Sequence, residues 1–89
     1  MITFEELDNF ITFEGIDNFM TGFLIIPFEK YFVSIHPGAY IYVFMNTNTP
    51  VFESRYNRNG FHKFIDYLKE LNMLDEFELE IERLILEKI

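Results

Sequence analysis

Apolar and polar residues change period twice along this chain, and each change marks a new kind of element. Near the start, Phe4, Leu7 and Ile11 recur at helical spacing. Thr3 followed three residues later by Glu6 is a capping-box pattern, so a helix is predicted to begin near Phe4. Residues 23–56 then switch to short β-branched and aromatic runs broken by turn residues, the pattern of a β-meander. The run 23–26 meets Pro27, which ends it or places it at a sheet edge. Residues 30–36 lead into His36, Pro37, Gly38 and Ala39, a turn with Pro second and Gly third. Residues 40–45 set Ile41, Val43 and Met45 against Tyr40, Tyr42 and Phe44, so a central strand covered on each side is expected. A turn cluster at 46–50 precedes the last strand, 51–56, with Glu53 and Arg55 on one face. Connections this short make antiparallel hairpins.

Helical spacing returns after Tyr56. Phe61, Phe64, Ile65, Leu68 and Leu71 make one stripe, with Asn59 or Gly60 as the cap and Asn72 as the end. The tail is ambiguous, because residues 76–82 alternate Glu with Phe, Leu and Ile as a half-buried strand would. Glu and Leu favour helices and no breaker follows, so a helix is predicted. Its core stripe is Leu74, Phe77, Ile81, Leu84 and Ile85, with Leu79 and Leu86 left on the far side. The fold class is therefore α+β in a single domain spanning 1–89. It has an N-terminal helical segment, a three- to four-stranded antiparallel β-meander and two C-terminal helices.

One repeat complicates the first element. Residues 2–10 and 11–19 match at seven of nine positions, differing in kind only at Glu6 and Gly15. Nine helical residues advance the phase by about 900°, two and a half turns, so equivalent residues fall on opposite faces. Phe4, Leu7 and Ile11 then point one way and Phe13, Ile16 and Met20 the other. Either the chain breaks between Phe10 and Gly15, or the helix lies between two apolar surfaces.

Composition adds a surplus of rings and of negative charge. With 12 Phe and 5 Tyr in 89 residues, the interior is small for so many rings, so either some lie at a partner or homodimer surface or the core is Phe-dense with Tyr edges exposed. Net charge is −8 and lies at the ends. Residues 1–22 carry Glu5, Glu6, Asp8, Glu14 and Asp17 with no base, whereas residues 23–65 carry a surplus of two cations. Residues 66–89 set eight acids, among them Asp75, Glu76, Glu78, Glu80 and Glu82, against three bases. That sign argues against direct nucleic-acid binding and against anionic membrane surfaces. No apolar run approaches a membrane span, and the acidic start lacks the positive segment of a secretory leader, so a cytoplasmic protein is expected.

Candidate chemistry is sparse. Without cysteine there is no disulfide or thiolate metal site. Ser34 and Ser54 sit in predicted strands without a nucleophile elbow, and the glycines do not form a phosphate loop. His36 and His62 lack ligand spacing, so no metal or cofactor is expected and the chain is read as a non-enzyme. Arg55, Arg58 and Lys63 gather at the predicted start of the Phe61 helix, where they suit a small anion or, better, the acidic helices.

Rigid helices bearing carboxylates resemble a phosphate backbone in sign and spacing, and can steer into a Lys/Arg channel of another protein. In size, acidity and element order the chain is similar to some small phage inhibitors, notably certain anti-CRISPR proteins that occupy the DNA-binding groove of Cas nucleases. The likeness covers the whole chain without a shared motif, and the high Phe content departs from the most polar of those mimics. It implies an inhibitor or DNA mimic of the anti-defence type, working in a bacterial host and binding a basic protein. Glu5, Glu6, Asp8, Glu14, Asp17, Asp75, Glu76, Glu78, Glu80 and Glu82 are the residues assigned to partner binding from their charge. The rival reading is a homodimeric structural or adaptor module joined through Leu79, Leu86 and the N-terminal phenylalanines. A third is a small-ligand binder whose tyrosines 31, 40, 42 and 56 line a shallow pocket.

Overall fold

The computed structural model describes residues 2–14, 24–28, 30–45 and 49–87. They form α1 (Phe4–Glu14), β1 (Leu24–Phe28), β2 (Tyr31–His36), β3 (Tyr40–Phe44), β4 (Pro50–Arg55), α2 (Arg58–Glu70) and α3 (Leu74–Glu87). The strands make one antiparallel sheet in the order β1-β2-β3-β4. This is the α+β arrangement that the periodicity predicts, with four strands. Pro27 lies within β1, and β1 is an edge, where a residue without an N–H costs no ladder bond.

Local chemistry explains the boundaries. At α1 the capping box is formed in both directions: the Glu6 N–H donates to Thr3 Oγ1 (3.1 Å) and the Thr3 N–H to Glu6 Oε1 (3.0 Å). The first four residues of the second nonapeptide, 11–14, continue α1, whereas Ile16 and Met20 lie outside the described residues, as does the Phe13 side chain, so the choice between a break and a two-sided helix falls there. The β2–β3 turn closes with Ala39 N–H donating to the His36 carbonyl (2.9 Å), and Gly38 takes φ +78°, the value that favours glycine third in a type II turn. Met45 lies past the end of β3 and is exposed rather than continuing its buried face, just beyond a bulge at Val43 and Phe44.

The cap of α2 departs from expectation. Asn57 fills that role, not Asn59 or Gly60: its side chain accepts the Gly60 N–H at 2.7 Å from an extended backbone. Gly60 is inside the helix for a different reason. A Cβ there would sit 1.9 Å from the Arg55 carbonyl oxygen, so the bare α-carbon lets α2 press against the end of β4. At the other end Asn72 adopts φ 57°. Met73 N–H reaches the Leu68 carbonyl (2.9 Å) and Asn72 N–H the Lys69 carbonyl (3.1 Å), the Schellman closure.

The core lies on one side of the sheet. Val33, Ile35, Ile41 and Val43 meet Leu7, Phe10 and Ile11 of α1, Phe61, Phe64, Ile65 and Leu68 of α2, Met73, and Phe77 and Ile81 of α3. The aromatics within it are in edge or tilted contact, as Phe64 with Phe77 (5.1 Å, 86°) and with Phe61 (6.1 Å). Residues 76–82 are helical. Leu74 and Leu84 pack against the core as predicted, while the Ile85 side chain is outside the described set. The helix leaves Leu79 outward, where a strand would have buried it beside Phe77 and Ile81.

Candidate interaction surfaces

The outward side of α3 follows directly from that helical phase. Asp75, Leu79, Glu82 and Leu86 stand at i, i+4, i+7 and i+11, a single line along the helix. Leu79 is 64% exposed and Leu86 71%. Asp75, Glu76 and Glu82 are exposed and make no salt bridge among the described residues. Beside them Arg83 is held between Glu80 (2.7 Å) and Glu87 (2.6 Å), which raises the guanidinium pKa through the Glu80 hydrogen bond first. Asp75 and Glu76 also occupy the first turn, where the helix dipole favours carboxylates.

The acids of α1 are engaged differently. Glu5 accepts from Arg58 Nε at 2.5 Å, and that hydrogen bond holds its carboxyl below the usual range, opposed by slight desolvation and aided by the guanidinium charge. Asp8 Oδ1 receives the Tyr56 hydroxyl at 2.6 Å, and Glu6 serves the capping box. From α3, Glu78 Oε2 accepts the Ile2 N–H at 2.6 Å and ties the two chain ends together. The Glu14 side chain and Asp17 lie outside the described set. The eight predicted acids whose side chains are described therefore do not share one environment. Glu5 is paired with a cation, whereas Glu6, Asp8 and Glu78 accept from a backbone N–H, a tyrosine hydroxyl and a backbone N–H in turn. Sequence spacing could not reveal these contacts, because Glu78 and Ile2, or Asp8 and Tyr56, meet only through the fold.

The sheet has a second face, turned away from the helices. Strand parity puts Phe32, Ser34 and His36 of β2, Tyr40, Tyr42 and Phe44 of β3, and Val51, Glu53 and Arg55 of β4 on it. Phe32 and Phe44 stack at 4.8 Å, Tyr42 lies 5.9 Å from Phe44 and 5.8 Å from Tyr40, and Arg55 sits over Tyr40 at 5.8 Å. None of these four rings belongs to the core cluster, so among the described residues only one side of β3, which is expected to be covered on each side, packs against helices. The tyrosines do not converge either. Tyr40 and Tyr42 lie here, whereas Tyr31 and Tyr56 pack on the helix side, because successive residues of a strand point to opposite faces.

At the β4–α2 corner, a cleft of about 400 Å³ is bordered by Tyr40, Glu53, Arg55, Asn57 and Lys63 among others. Arg58 turns away to Glu5, which bears out pairing with an acidic helix for that one cation. Ser54 is buried and its hydroxyl donates to the Gly60 carbonyl (3.0 Å); Ser34 Oγ lies 2.9 Å from His36 Nε2. Among the described residues no three metal-ligating side chains converge, and no helix is long and apolar enough to cross a membrane. An acidic α+β protein with two exposed surfaces of opposite character is thus defined. Comparison with protein-family models, curated proteins and solved structures finds no match.

Proposed function

We infer that this chain is a non-catalytic interaction protein that binds a basic surface of another protein through the outward side of α3. Its action is that of an inhibitor occupying a groove built for nucleic acid, in the anti-defence manner that its size and acidity resemble, within a bacterial cytoplasm. The observation that supports this reading is the line of Asp75, Leu79, Glu82 and Leu86, with acids that make no salt bridge among the described residues.

The line also refines the chemistry. Asp75 and Glu82 are seven residues apart, about 10.5 Å along the axis. Duplex DNA carries one charge per about 1.7 Å, so the likeness to nucleic acid is one of sign, not of spacing. The intervening leucines call for apolar pockets between the partner's basic residues, and burying them supplies affinity that charge alone does not. A second copy is a poor occupant for this side, since it would set Asp75, Glu76 and Glu82 against their own counterparts. The homodimer expected through Leu79 and Leu86 is therefore disfavoured here by like charge.

Binding is tested by immobilising the protein and capturing nucleic-acid-binding proteins from a bacterial extract. Capture should fall with added salt and with added duplex DNA, and should disappear in the double variant Asp75→Lys/Glu82→Lys and in Leu79→Glu. Capture that survives both variants would remove α3 from the interface and end this reading.

A further inference from the structure

We propose that the aromatic face of the sheet is a self-association surface, on which a second copy of this chain packs sheet to sheet. The charge distribution selects the occupant. The molecule carries −8 overall, and two copies approaching through their helical sides bring like charges together. The sheet face is different: its described charged residues are Glu53 and Arg55, one of each sign, two apart on β4 and pointing the same way. It is the neutral side of an acidic protein, and hence the side on which two copies repel least.

Its chemistry suits a sheet partner. Phe32, Tyr40, Tyr42 and Phe44 form a half-buried plane of rings, and Val51 beside them is 43% exposed. The strands are five to six residues long. Four strands about 4.8 Å apart, with residues about 3.4 Å apart, make a face roughly 19 Å on a side. Covering it on both copies removes roughly 700 Å² in total, below the usual range of a stable specific interface, so a weak, concentration-dependent dimer is expected. Aligned sheets pack about 10 Å apart through such side chains.

Glu53 and Arg55 set the orientation. A two-fold axis lying between the sheets and running across the strands reverses strand direction, and so brings Glu53 of one copy beside Arg55 of the other, twice. The product is a four-layer sandwich with the sheets inside and an acidic α3 on each outer side. Two such sides can engage two basic sites at once, which raises avidity without any new contact. The dimer itself does not depend on what α3 binds.

Sedimentation or light scattering across a concentration series is the test. Wild type should shift from monomer to dimer as concentration rises. Glu53→Arg and Arg55→Glu should each be monomeric alone, since each gives the face a single sign, and their equimolar mixture should form a heterodimer. Tyr42→Lys should be monomeric with an unchanged far-UV spectrum, whereas Leu79→Glu should dimerise as wild type does. A monomer at every attainable concentration would overturn the proposal, as would a dimer indifferent to both charge variants or one abolished by Leu79→Glu. Because the α3 variant is the one that tests partner capture, failure of either idea leaves the other readable.

Discussion

Helices α1 and α3 carry the two acidic ends of the chain, yet the fold uses them in opposite ways. In α1, Glu5 meets Arg58, Asp8 meets the Tyr56 hydroxyl and Glu6 closes its own cap. These carboxylates clamp the helix to the corner where β4 turns into α2. In α3, Asp75, Glu76 and Glu82 project from the side opposite Phe77 and Ile81 and meet no cation among the described residues. Equal charge on two helices is therefore not equal availability. What decides it is whether the neighbouring element supplies donors, and the cations and hydroxyls of the β4–α2 corner lie beside α1.

The strongest way to break this contrast is to compare residues on the two sides of α3. Phe77→Ala, at a fully buried ring packed on Phe64, should cost about 3–5 kcal/mol in chemical denaturation. Leu79→Ala, two residues on, should change stability by no more than about 0.5 kcal/mol. If the two losses were similar, Leu79 would be covered and the open side of α3 would not exist. A smaller effect sharpens the α1 side. Tyr56→Phe removes the donor to Asp8 while leaving the ring against Phe4 (5.0 Å), and should cost about 1 kcal/mol. An unchanged midpoint would mean that Asp8 is as free as the acids of α3.

The smallest effect is in the pH dependence. The Glu5 carboxyl is lowered in the folded state, so the unfolded chain takes up its proton first as pH falls. Its contribution is thus present above the unfolded value and is lost as pH drops through the folded one. Both partners are exposed, so the effect is slight and should shrink with salt. In a titration of stability against pH, Glu5→Gln should flatten the acid limb a little.

Much of this architecture is legible from periodicity. The capping box at Thr3 and Glu6, the Pro37–Gly38 turn, the edge position of Pro27 and the stripe of α2 all follow from local chemistry, which acts within a few residues. Even the exposed Leu79 and Leu86 follow once residues 76–82 are taken as helix, because helical phase separates them from Phe77 and Ile81. The cap of α2 is expected at Asn59 or Gly60, and Asn57 fills it instead. All are acceptable cap residues, and the choice turned on the backbone of β4 lying against Gly60.

By itself, then, the order of residues determined element type, the single-layer meander, the acidity and its placement toward the chain ends. Only the tertiary structure decided which carboxylates are engaged, that the sheet's aromatic side faces away from the described helices, and that the tyrosines divide between two faces. The reason is physical. Propensity and turn chemistry depend on neighbours along the chain, whereas pairing of charges and covering of rings depend on atoms brought together from distant positions, such as Glu5 with Arg58 and Ile2 with Glu78.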